Sequence, residues 1–82
     1  MIRVIRDRIV KVERIGNSRK GNPLYDVVLE SGAVRQTEPD ASINYEITNP
    51  EFVGSKGYGI APPTVDFRLN LRGRIISATP IT

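Results

Sequence analysis

Two short stretches of this chain carry the side chains best placed to do chemistry. The first, "GNSRKGNP" at residues 16–23, brackets Arg19 and Lys20 with turn-forming residues, and the second, "LRGR" at 71–74, sets Arg72 and Arg74 around Gly73. Cationic groups raised on turns hold phosphates and carboxylates by charge-assisted hydrogen bonds, and do not by themselves break bonds. A third candidate is Tyr58 in the glycine-rich "GSKGYG" at 54–59, whose ring could stack on a base; such a contact contributes about 1–3 kcal/mol. Exposed Arg and Lys in hairpin loops also serve simply as solubilising residues, so each loop alone says little. Their joint occurrence says more.

Bond-making chemistry has little to draw on. The chain has neither cysteine nor histidine, which removes thiol nucleophiles, disulfides, thiolate metal sites and the commonest general base. A carboxylate-only Mg²⁺ site or a Ser/Lys dyad is what is left, and "GSKGYG" lacks the spacing of a phosphate-binding P-loop. We expect no enzyme, no cofactor, no metal and no small-molecule substrate. At 82 residues, 39% of them hydrophobic and 26% charged, the chain reads as one small globular domain. No apolar run is long enough for a membrane span or a secretory signal core, which makes the cytoplasm the expected compartment.

Charge is unevenly distributed. Residues 1–20 hold Arg3, Arg6, Arg8, Lys11, Arg14, Arg19 and Lys20 against Asp7 and Glu13, a balance of +5; residues 21–66 balance at −5, and residues 67–82 at +3. Basic ends around an acidic middle argue about partners, not about fold.

The elements that must position these groups read mostly as strands. "IRVIRDRIVKVERI" is rich in β-branched residues and alternates only in pieces, with a phase change around Arg6 to Arg8. One long strand with a bulge fits, since an extra residue swaps the faces occupied by the later side chains; a short additional hairpin is the competing reading. "LYDVVLE" places Tyr25, Val27 and Leu29 on one face, Ser31-Gly32 turns the chain, and "AVRQT" returns. Thr37 and Asp40 then have the form of a capping box, with Ile43 and Ile47 four apart and Ala41 and Tyr45 on an adjoining stripe, so a helix is expected to run to Asn49-Pro50. Asp40, Ser42 and Tyr45 are better explained as cap and packing residues than as a site. A loop comes next, then "TVDFRLN" with Val65, Phe67 and Leu69 inward, a turn at Gly73, and "RIISAT".

The expected order, β-β-β-α-β-β, is that of a mainly β domain with one helix, a small five-stranded OB-like barrel. An SH3-like barrel is the alternative, with a short 3₁₀ turn in place of the helix. In OB-fold barrels ligands lie across strands two and three, between the loops joining strands one to two and four to five. Those loops are the two basic segments. Tyr25 and Phe67 share phase with core residues and Tyr45 belongs to helix packing, so the aromatic supply is small, which points away from tight sequence-specific recognition.

The segment "GNSRKGNPLYDVVLESGAVRQTEPDASINYEITNPEF" resembles a group of small uncharacterised proteins encoded by phages of actinobacteria. The likeness lies in the "GN" loop, the "V.LE.G" strand and turn, the "DAS..Y.I.NP" segment and Gly73-Arg74-Ile75, and it covers most of the chain after Ile15. The N-terminal "MIRVIRD" departs from it. The resemblance implies a short phage gene expressed in a bacterial host, and no particular activity.

Together these readings lead to a non-catalytic binding module with nucleic acid as the favoured partner, through Arg19, Lys20, Arg72, Arg74 and Tyr58. The alternatives are a protein-interaction module acting on a host protein, through an exposed strand edge or the apolar loop from Phe52 to Ile60, and a structural or self-assembling virion component.

Overall fold

The computed structural model describes residues 2–81. Its framework is one sheet of five antiparallel strands: β1 (Arg3–Asn17), β2 (Pro23–Leu29), β3 (Val34–Gln36), β4 (Thr64–Leu69) and β5 (Ile75–Ile81), in the order β3-β2-β1-β4-β5. Between β3 and β4 lie a 3₁₀ turn, Ser42–Tyr45, and a single α-helical turn, α1 (Pro50–Val53).

The first fifteen residues of the sheet form one strand, not a hairpin. Arg3 to Arg8 pair with β4, from Leu69 to Thr64, whereas Ile9 to Asn17 pair with β2, from Leu29 to Pro23. The exchange of partners coincides with a bulge between Ile9 and Lys11, and a second lies between Arg14 and Gly16. The phase change therefore sits at Val10 rather than at Arg6 to Arg8. Ile5 and Ile9 face the core before it and Val12 after it, leaving Val4 and Val10 exposed. A bulge bends the strand and increases its twist, which lets one strand serve two neighbours.

The other strands keep to their alternation. Val27 and Leu29 of β2 and Val65, Phe67 and Leu69 of β4 are buried, with Ile75 of β5 closing over them, and Tyr25 packs against their edge. Removing the largest of these, Phe67, to alanine is the kind of change that costs about 3–5 kcal/mol. Gly32 and Gly73 adopt φ of 96° and 76° in the turns that precede β3 and β5, a conformation glycine reaches without a Cβ penalty.

The expected helix from Thr37 to Asn49 does not form. Asp40 has φ of 66°, a left-handed conformation that breaks a right-handed helix but that Asp tolerates better than most residues. Its carboxylate caps nothing local: it accepts hydrogen bonds from Ser18 Oγ (2.5 Å) and Asn22 Nδ2 (2.7 Å) in the loop after β1. Only four residues then wind, as 3₁₀, and Asn49-Pro50 starts α1 instead of ending a helix, with Pro50 in the first turn where its missing N–H is harmless. Ile43, Ile47 and Phe52 still reach the core.

Buried polar groups hold this irregular segment. Thr37 Oγ1 donates to Asn44 Oδ1 and accepts from the Tyr25 N–H, while Asn44 Nδ2 donates to the carbonyls of Glu38 and Ala41 at 2.8 and 3.1 Å. Thr37 also forms an isolated parallel bridge to Ile75, with the Glu38 N–H donating to Ile75 O at 2.8 Å. That contact is a single bridge and not a ladder, so the sheet is not closed between β3 and β5. Among the described residues no helix is long and apolar enough to cross a membrane.

Candidate functional site: an arginine-lined cavity at the β4–β5 turn

The β4–β5 connection is a tight turn built on Asn70. Its side-chain Oδ1 accepts from the N–H groups of Arg72 and Arg74, both at 3.0 Å, and the backbone closes through Gly73 N–H to Asn70 O and Asn70 N–H to Arg74 O. This geometry raises Leu71 and Arg72 to the tip. Because Leu69 lies opposite Arg3, the tip stands beside the start of β1. β5 meets the end of β3 at the Thr37–Ile75 bridge, which brings Arg35 within reach: a Cβ placed on Gly73 would lie 3.0 Å from Arg35 Nη1.

Three arginines from three separate parts of the chain consequently line one cavity of about 420 Å³: Arg3 of β1, Arg35 of β3 and Arg72 of the turn, together with Leu69, Asn70 and Leu71. Among the described residues no carboxylate lines it. None of the three arginines lies within ion-pair distance of a carboxylate among the described residues. The Nε of Arg35 is buried and has no hydrogen-bond partner there, an arrangement that costs free energy until an acceptor is supplied. Arginine is suited to such a place, being always charged and presenting planar, forked donors.

Arg74, by contrast, is held by the protein itself. Its guanidinium lies 3.9 Å from Glu38, whose carboxylate also accepts from Asn70 Nδ2 at 2.7 Å.

The β1–β2 loop is a second, differently equipped turn. Ser18 O accepts from the Gly21 N–H and the Ser18 N–H donates to Asn22 O, placing exposed Arg19 and Lys20 at the centre. Asn22 is gripped by Asp40 and by the Tyr45 hydroxyl. The hydrogen bonds from Ser18 and Asn22 hold the Asp40 carboxyl below the usual range, opposed by partial desolvation and assisted by the nearby charge of Lys20. The two turns leave the sheet at opposite ends of β1, beside Arg3 and beyond Asn17 respectively. What joins them is residues 38–40: Glu38 anchors the β4–β5 turn and Asp40 the β1–β2 loop.

Of the five residues singled out from the sequence, Arg72 alone lines the cavity. Tyr58 is 87% exposed on the turn at 56–59, whose loop runs toward Thr64 at the opposite end of β4 from the cavity. Sequence reasoning missed Arg3 and Arg35. Arg3 was legible in principle, since pairing the first strand antiparallel to the fourth sets its start against the "LRGR" turn. Arg35 gave no signal beyond being a basic residue in an otherwise acidic middle. No protein-family model, curated protein or solved structure matches this chain.

Proposed function

We propose that this protein is a non-catalytic nucleic-acid-binding module, of OB-like build, acting as a small phage protein in a bacterial host. The observation that carries the reading is the convergence of Arg3, Arg35 and Arg72 on one cavity without a carboxylate. Uncompensated guanidinium groups on separate elements form a fixed anion receptor, and phosphate is the anion that arginine forks match best among polymers. The OB-like build is supported by the strand order, in which the Thr37–Ile75 bridge brings β5 to the free side of β3, so that the succession 1-2-3-5-4 returns to 1. The irregular segment of residues 38–49, with its 3₁₀ turn, stands where the helix was expected.

On this reading the cavity takes phosphate at one end of β1, and Arg19 and Lys20, on the loop at its other end, meet further phosphates. Arg74 serves mainly to fix the turn through Glu38. Affinity comes from electrostatics, since the exposed aromatic supply is small. The test is fluorescence anisotropy with mixed-sequence single-stranded DNA and RNA at two salt concentrations. Log affinity should fall with log salt by about 0.7 for each phosphate neutralised on a single strand, and Arg72→Gln or Arg19→Gln should each lower that slope by one such step. Failure to bind DNA or RNA at low salt removes the reading.

A host-protein partner is the second reading, favoured by exposed Tyr58 and Ile60 on one protruding loop. A stoichiometric host protein retained from nuclease-treated lysate, and lost on Tyr58→Ser, would favour it over the first.

A further inference from the structure

We propose that the Arg3, Arg35 and Arg72 cavity is a receptor for a phosphate monoester, resting on the nucleic-acid reading for the source of that group as the phosphorylated end of a strand. Three properties of the cavity point past a simple backbone contact. First, a phosphodiester carries one negative charge and two free oxygens, whereas a terminal phosphate carries about −1.5 to −2 and three acceptor oxygens at neutral pH. Three arginines, with no carboxylate among the described lining residues, suit the second in charge and in number of donors.

Second, the lining arginines differ in exposure. Arg35 Nε is buried and lacks an acceptor, while Arg3 and Arg72 are exposed. A group that enters end-on is the kind that can approach a half-buried guanidinium and still meet two exposed ones. A backbone phosphate must keep its two sugar attachments running past the site. Third, the cavity of about 420 Å³ exceeds the needs of an isolated phosphate and lies within the range of about 300–1,000 Å³ usual for ligand pockets. Exposed Leu71 supplies apolar surface for the sugar attached to it.

The structure also indicates how the receptor is kept open. Asn70 bonds the backbone of the turn on one side and Glu38 on the other, so the Glu38 carboxylate is engaged with Asn70 and Arg74. Gly73 leaves room for Arg35 Nη1, which any Cβ there would press at 3.0 Å.

The experiment compares internally labelled single-stranded oligonucleotides of one sequence that carry a 5′-phosphate, a 3′-phosphate or free hydroxyls at both ends, titrated against the full chain. One of the phosphorylated strands should bind at least tenfold tighter than the hydroxyl strand. Arg35→Gln and Arg35→Lys should both bring the phosphorylated and hydroxyl strands to equal affinity, the lysine variant because its ammonium keeps the charge but not the fork. Arg72→Gln, on an exposed turn tip, should likewise remove the difference between the phosphorylated and hydroxyl strands. Equal binding of all three strands overturns the monoester assignment and leaves the nucleic-acid reading standing.

Should no strand bind at low salt, the nucleic-acid reading falls, and the cavity is then decided by a nucleoside monophosphate alone. Shifts of arginine Nε–H resonances in the wild type, absent in Arg35→Gln, keep the receptor with a free nucleotide as its ligand; no shifts overturn it. Competition by the monophosphate as strong as that of the phosphorylated strand likewise assigns the free nucleotide as the source.

Discussion

Asn44 is a single side chain on which an irregular segment depends. It is buried, accepts a hydrogen bond from Thr37 Oγ1 and donates to the carbonyls of Glu38 and Ala41. Asn44→Ala should therefore destabilise the fold by about 1–3 kcal/mol, the cost of leaving buried partners unsatisfied, measured as a lower urea midpoint with unchanged m-value. Because Glu38 anchors the β4–β5 turn, the same variant should also loosen the cavity, seen as line broadening at Arg72 and Gly73. Asparagine here has no sequence signature, since its partners come from the end of β3 and from turn carbonyls and not from a helix repeat. The same holds for Arg35. Its neighbours in space, Arg3 and Gly73, are set by β1–β4 register and by the Thr37–Ile75 bridge, neither of which local pattern can reveal. Tip residues were easier: Arg72 stands out because Gly73 marks its turn.

At the scale of elements, the loop from α1 to β4 turns on Gly54. Its φ of 72° and ψ of −172° lie in a region nearly restricted to glycine, and a Cβ there would stand 2.4 Å from Ile60 O. Gly54→Ala should destabilise the protein by about 1–3 kcal/mol from backbone conformation alone, with the clash added, and thermal melts of the pair of proteins measure it. Strands were legible where one face is buried, as in Val65, Phe67 and Leu69, because period-two alternation is imposed by the core itself. The helix was misread because Thr37 and Asp40 imitate a capping box while their side chains bond to distant residues: Asp40 to Ser18 and Asn22, Thr37 to Asn44 and Tyr25. Tertiary contacts overrode a local signal whose Pro50, read as a stop, is equally good as a start.

Across the whole molecule, acids and bases are arranged so that low pH should weaken the fold. Asp66, opposite Arg6 on the neighbouring strand, accepts from its Nε at 2.8 Å and its Nη2 at 3.2 Å. The hydrogen bond and charge of Arg6 hold the Asp66 carboxyl below its ordinary range, and bonds from Ser18 and Asn22 do the same for Asp40. A carboxyl with a folded-state pKa below its unfolded one binds protons more readily when the chain is open. Its contribution is complete above the ordinary Asp value near about 4 and fades as pH falls through the lower folded value. Melting temperature should thus hold level from pH 7 to about 5 and decline below about 4, less steeply in Asp66→Asn, as monitored by circular dichroism.

The division of β1 between two neighbours has a kinetic consequence. Its second half meets β2 through a short loop, whereas its first half meets β4, with Arg6 and Asp66 separated by 60 positions along the chain. Loop closure over such a distance is slow compared with a local hairpin. The β1–β2–β3 meander can therefore assemble first, while the first half of β1 stays unzipped until β4 pairs with it, and Arg3 reaches its place beside the β4–β5 turn only in that later step.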